Sequence, residues 1–203
     1  MKIHNELTQG TAEWLQLKSG KISASRVEPL MAVRGLGEAA KTYAVELTAE
    51  VLLDQPTFVP ITFAMEHGSE YEPYAREIYE NNRSVSVQQV GGIEHDGLWL
   101  SPDGLVDDDG LIEIKCPQPK QHLMILLSDD IDKRYIAQMQ FGMMVSDRKW
   151  CDFVSFHPDF PDHLKVKVIR VERDEKYISL MRERIAEFKE LLISINNKLK
   201  NNE

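Results

Sequence analysis

The chain is poor in cysteine: Cys116 and Cys151 are the only two among its 203 residues. Two thiols cannot build a disulfide framework, a four-thiolate zinc site or an iron–sulfur cluster, and a reducing compartment such as the cytoplasm is the simplest fit. Long apolar runs are missing too, so no membrane-spanning helix is expected. The amino terminus carries Glu6 and no apolar run after Lys2, and no secretory signal is expected there. Positive charge is scarce: 24 Lys and Arg stand against 33 Asp and Glu, a net charge of −9. That balance argues against a chain that grips a polyanion over its whole surface. Internal repeats and low-complexity tracts are absent. The 42% hydrophobic content is enough for one good core and one domain over residues 1–203.

The informative stretch is Ser101-Pro102-Asp103-Gly104-Leu105-Val106-Asp107-Asp108-Asp109-Gly110-Leu111-Ile112-Glu113-Ile114-Lys115-Cys116-Pro117. Its flanks are apolar and β-rich, and Asp109-Gly110 is a dipeptide expected in a hairpin turn. Folding that hairpin brings Asp103 beside Glu113. Side chains alternate along a strand, so Glu113 and Lys115 share one face while Ile112 and Ile114 turn to the core. Asp103 and Glu113 supply two hard oxygen donors, the Ile114 carbonyl offers a third, and Lys115 adds an ammonium. This set suits Mg2+ and a phosphodiester. A Glu-x-Lys on an exposed strand or an acidic turn is ordinary by itself; the conjunction is not. A calcium-loop reading of Asp107, Asp109 and Gly110 fails, because its frame needs acidic ligands where Leu105 and Cys116 stand.

Helical spacing predicts helices over residues 25–31, 39–53, 68–79 and 135–145, with a long amphipathic helix over 174–200. Strands are expected over 85–90, 150–157 and 164–171, with no element assigned over 117–133. In the last helix Ile178, Met181, Ile185, Phe188, Leu192, Ile195 and Leu199 alternate three- and four-residue spacing, either a face packed on the chain's own core or a contact with another subunit. Together these elements give an α/β arrangement, a central mixed sheet flanked by helices.

Pro102-Asp103 … Glu113-Ile114-Lys115 resembles the signature of the PD-(D/E)XK nuclease superfamily. The longer Ser101-Pro102-Asp103-Gly104 … Glu113-Ile114-Lys115-Cys116-Pro117 is similar to the lambda exonuclease family and the YqaJ-like viral recombinases. Trp14 with Lys18-Ser19-Gly20-Lys21-Ile22-Ser23-Ala24-Ser25, the helix Gly68-Ser69-Glu70-Tyr71-Glu72-Pro73-Tyr74-Ala75, and Tyr135-Ile136-Ala137-Gln138-Met139-Gln140 agree with the family in order. The resemblance implies a restriction-endonuclease-like fold. It makes Glu72, Lys115 and Gln138 catalytic, and Asp103, Glu113 and the Ile114 carbonyl ligands of Mg2+ (or Mn2+), with two ions expected. It also places a terminal 5′-phosphate against Lys18, Ser25 and Ser101, and a wedge for the duplex end at Met65. Lys18 departs from the family, which has Arg there; a point charge replaces a bidentate fork, and phosphate selectivity is expected to be looser.

The activity implied is Mg2+-dependent 5′-to-3′ digestion of double-stranded DNA ends. It belongs to a phage or prophage protein in the bacterial cytoplasm, working as a ring-shaped homotrimer beside a single-strand annealing protein. A DNA endonuclease, or a non-catalytic protein bound to DNA ends, are the alternatives. Lys18, Lys21, Arg26, Arg34, Lys41 and Arg76 are the bases available to line a DNA channel despite the negative total.

Overall fold

A computed structural model describes residues 1–201. Its centre is a hairpin: strand β6 (Gly104–Val106) pairs antiparallel with β7 (Gly110–Lys115), Val106 opposite Gly110 and Gly104 opposite Ile112. The turn falls on the three aspartates, as expected, and Asp107 takes the left-handed conformation with φ 46°. Gly110 is the first residue of β7 and is needed for space instead: a Cβ there would sit 2.1 Å from the Trp150 ring.

Around the hairpin, β3 (Val87–Gln88), β6, β7, β8 (Trp150–Phe156) and β9 (Val166–Glu172) form one mixed sheet in that order, with β7 and β8 parallel and the other pairs antiparallel. A parallel pair needs a long crossover, and helices α4 (Pro119–Ser128) and α5 (Lys133–Ser146) supply it. A second sheet runs β1 (Lys2–His4), β4 (Gly92–His95), β5 (Leu98–Leu100), β2 (Ile22–Ser23). Leu98, Trp99 and Leu100, expected to flank the hairpin, therefore belong to a different sheet.

β7 lies between two neighbours and is covered on both faces, so Ile112, Glu113 and Ile114 are all buried. On one side Ile112 and Ile114 pack with Ala75 and Tyr79 of α3 (Phe63–Arg83) and with Val154 and Phe156. On the other, Leu105, Leu111 and Phe153 meet Phe141 of α5, Tyr43 and Leu47 of α2 (Glu38–Leu53), and Met181 and Phe188 of α6 (Glu175–Lys200). The apolar seam of α6 is thereby used on the chain's own core through Ile178, Met181, Ile185 and Phe188, with Leu192 and Ile195 at the margin and Leu199 44% exposed.

Several expectations are corrected. Residues 25–31 form two short 3₁₀ turns (Ala24–Arg26 and Glu28–Met31) in place of an α-helix, with Pro29 in the second. Helix α1 (Ala12–Lys18) was not expected; its seven residues bury none of their side chains, so no apolar stripe announces it. The helix expected over 68–79 begins five residues earlier, at Phe63, where Thr62 caps it by accepting from the Met65 N–H. Pro73 is accommodated within it. Only Val87–Gln88 of the 85–90 segment pairs as a strand. Among the described residues no helix is long and apolar enough to cross a membrane.

Candidate active site

Two helices, α3 and α5, converge on the end of the hairpin away from its turn. Asp103 directly precedes β6, and its Oδ2 accepts the Ile114 N–H at 2.6 Å, which fixes the carboxylate against β7. On β7, Glu113 is 4% exposed and its Oε1 takes the Lys115 ammonium at 2.5 Å. From α5, the Gln138 Nε2 donates to the same Oε1 at 2.8 Å. From α3, Glu72 faces the group while holding Arg76, one helical turn on, in an ion pair. Glu72, Asp103, Ile114, Lys115, Met65 and Tyr135 line a cleft of about 360 Å³. Met65 is 47% exposed at its rim. The predicted set Glu72, Asp103, Glu113, Ile114, Lys115 and Gln138 is thus gathered in one place.

The carboxylates crowd one another. Burial, with Asp103 close by, pushes the Glu72 carboxyl up to about 7 against the pull of Arg76 and Lys115. Burial likewise lifts Glu113 to about 7, opposed by Lys115 and reinforced by Asp103 and Glu72. Asp103 is raised by burial and held back by Lys115, the Ile114 N–H and Arg76. Burial draws the Lys115 ammonium down, but Glu113 and Asp103 more than compensate and the net shift is upward. Lys115 is therefore a firm cation among acids whose crowding a divalent cation would relieve.

Whether these residues fit Mg2+ turns on free oxygens. Among the described residues, hydrogen bonds and the ion pair use Asp103 Oδ2 and Glu113 Oε1 and leave the second oxygen of each without a protein partner. Among those residues no three His, Cys, Asp or Glu side chains gather as a self-sufficient metal cage. That agrees with Mg2+, which takes one or two carboxylates and completes its shell with carbonyl, water and phosphate oxygens. Cys116 also lines the cleft, but burial pushes its thiol up to about 12, and it stays protonated.

A second, smaller cavity of about 30 Å³ is lined by Lys18, Ser23, Ala24, Ser25, Trp99, Ser101 and Gln138, the last of which bonds Glu113. The three residues expected to hold a terminal phosphate therefore share one cavity, brought from α1, a 3₁₀ turn and the segment after β5. Ser25 is exposed and lies inside its turn, and Ser23, the residue preceding that turn, makes no side-chain cap.

The channel bases fare differently. Lys21 holds Glu94, Arg26 holds Glu46, Lys41 holds Glu38, and Arg76 is buried against Glu72 and the Asp103 carbonyl. Arg76 is thus a brace of the site, a role that its i, i+4 spacing from Glu72 hints at. Two further residues were missed as participants. The Tyr135 ring lies 5.1 Å from the Lys115 ammonium. The Trp14 indole N–H reaches Ser101. Gln140, two residues from Gln138, faces elsewhere and ties α5 to β9 and the start of α6 through the Glu172 carbonyl and the Asp174 N–H.

A search of the curated proteins finds no match. Among solved structures, the chain is similar to an alkaline exonuclease (LHK-Exo) from Laribacter hongkongensis, with 36% identity and a TM-score of 0.87 over 95% of this chain and 97% of that one. The same exonuclease solved with dAMP gives 35% identity and a TM-score of 0.88 over the same shares. A phage-related exonuclease from Haemophilus somnus 129PT shares the fold at 14% identity, with a TM-score of 0.71 over 88% of this chain and 96% of that one. The mixed sheet flanked by helices is therefore the restriction-endonuclease-like fold. The profile of the YqaJ-like viral recombinase domain matches residues 13–149, which contain every residue of the cleft and of the small cavity. On this match and the identity to the Laribacter enzyme, the chain belongs to the YqaJ-like viral recombinase family.

Proposed function

We propose that this chain is a Mg2+-dependent exonuclease acting on the ends of linear double-stranded DNA. It digests the strand that carries a 5′-phosphate, from 5′ to 3′, and leaves a 3′ single-stranded tail for a single-strand annealing protein in phage-type recombination. The observation that carries this reading is the position of Gln138, whose amide holds Glu113 in the cleft while its side chain walls the cavity of Lys18, Ser25 and Ser101. A phosphate in the cavity is then adjacent to the place where the next phosphodiester meets Asp103, Glu113 and Lys115. Kinship with an alkaline exonuclease supports the activity. That relative's complex with dAMP supports a mononucleotide as the product.

Asp103, Glu113 and the Ile114 carbonyl would hold Mg2+, which supplies Lewis-acid polarisation of the phosphoryl oxygen and a more acidic water. The remaining work belongs to the chain. The Lys115 ammonium offsets the negative charge that builds on the phosphoryl oxygens and orients the attacking water. Gln138 and the Ile114 N–H keep Glu113 and Asp103 in fixed rotamers, and Arg76 does the same for Glu72. Met65, which lines the cleft, would press against the terminal base pair. With Lys21, Arg26, Lys41 and Arg76 engaged by carboxylates and a net charge of −9, DNA is better retained by enclosure than by an electrostatic clamp. This favours a ring-shaped homotrimer.

The test is a pair of substrates of one sequence, a linear blunt duplex with 5′-phosphates and a covalently closed circle, each incubated with Mg2+ and with a chelator. Digestion of the linear form alone, and only with the metal, is the expected result. Cutting of the closed circle would make the chain an endonuclease.

A further inference from the structure

Ser101 sits in an unusual donor environment. Its Oγ accepts the Trp99 indole N–H at 2.8 Å and the Trp14 indole N–H at 3.2 Å, the latter shared with the Gly91 carbonyl at 2.9 Å. A serine hydroxyl has two acceptor lone pairs and one proton. With an N–H directed at each lone pair, the proton has no partner on the indole side and turns toward the small cavity that Ser101 lines. The same Trp14 serves a second member of that cavity. Lys18 is one turn further along α1, and its ammonium lies over the Trp14 ring at 4.7 Å. Trp99 is wholly buried and lies across Gly92, where a Cβ would come within 2.3 Å of the ring. The indole that sets Ser101 is thus itself fixed.

We infer that Trp14 and Trp99 are positioning residues for recognition of the DNA end: they make Ser101 an obligate donor and Trp14 also carries Lys18, so the cavity presents an O–H and an ammonium to a terminal phosphate. This rests on the function proposed above and adds the residues that set its selectivity. A phosphate monoester dianion has acceptor oxygens to receive every such donor. A 5′-hydroxyl end has no charge for the ammonium to meet. Burial lowers the pKa of the Lys18 ammonium, opposed by Glu50 and assisted by Arg26, so an anion in the cavity also relieves that desolvated charge.

The readout is the initial rate on a blunt duplex with 5′-phosphates divided by the rate on the same duplex with 5′-hydroxyls, in Mg2+. The fraction of folded protein cancels from this ratio, so a partly unfolded variant still reports. Trp14→Phe, which keeps a ring under Lys18 but removes the N–H, should lower the ratio roughly fivefold to tenfold, as should Trp99→Phe. Trp14→Leu, which removes the ring as well, should lower it further. In a Ser101→Ala background Trp14→Phe should change nothing more, because it acts through that hydroxyl. A wild-type ratio of one would overturn the end-recognition reading itself. A high wild-type ratio that survives both Phe substitutions would overturn this inference alone.

Discussion

The cleft and the small cavity beside it solve opposite electrostatic problems. The cleft concentrates carboxylates and tempers them internally, with Lys115 on Glu113 and Arg76 on Glu72. The cavity has one cation, and its ammonium rests on an indole face. A ring face stabilises an ammonium by about 0.5–1 kcal/mol, less than a desolvated carboxylate would, and so leaves it ready for an anion. On the proposed function the cleft receives a cation and the cavity an anion, and Gln138 joins the two by bonding Glu113 while lining the cavity. Chemistry and choice of end become separable, and substitutions should divide along that line.

The largest effect should follow from Lys115→Ala or Asp103→Ala, each lowering the rate on phosphorylated linear duplex by about a thousandfold or more. The chain should still fold after Lys115→Ala, because Glu113 titrates near 7 and can take up a proton once its partner is gone, whereas a buried charge that cannot neutralise costs about 3–5 kcal/mol. Far-UV circular dichroism with single-turnover rates would separate these outcomes. Gln138→Ala should cost about tenfold to a hundredfold, and uniquely should lower both the rate and the preference for a 5′-phosphate. Lys18→Arg should leave the maximal rate intact in order of magnitude and raise the phosphate preference a few-fold, since a guanidinium restores the bidentate fork.

Millimolar Mg2+ should raise the melting temperature by a few degrees, because ligand binding stabilises the folded state by mass action. Asp103→Asn should abolish that rise, and calorimetry in chelator against Mg2+ reads it directly. The smallest effect concerns α5, which carries Gln138. Asp132 caps this helix by accepting the Arg134 N–H at 2.8 Å, and its bonds to Arg134 hold its carboxyl down at about 2. A depressed carboxyl contributes stability above its unfolded pKa, and that contribution is lost as pH falls from about 4 toward 2. Asp132→Ala should cost about 1 kcal/mol at neutral pH and progressively less as the pH falls from about 4 toward 2, measured by urea denaturation.

How much of this was readable in the sequence follows the same division. The cleft was legible because Asp103 and Glu113 share one hairpin: strand alternation and ten residues of separation place them opposite each other, and the helix period places Glu72 over Arg76. The cavity is not legible from spacing, since Lys18, Ser25 and Ser101 come from distant parts of the chain and only family resemblance joins them; that Gln138 also lines it was not expected. Trp14 and Trp99 escaped because nothing local distinguishes an indole whose N–H meets a serine from one that fills a core. Helix α1 escaped for a related reason, having no buried face to imprint a period. Gly110 was read as a turn residue when the demand on it comes from Trp150, forty positions away. Of the elements read well, α2 and α6 bury a face at regular helical spacing, whereas α5 is buried almost all round from Met139 to Met143.

The most direct test of the account is a duplex with a 5′-phosphate on one strand and a 5′-hydroxyl on the other, each strand carrying its own 3′ label. The account predicts that with Mg2+ the phosphorylated strand is shortened progressively from its 5′ end while the hydroxylated strand is released intact. Equal loss of both strands, or shortening that begins at the labelled 3′ ends, would contradict it.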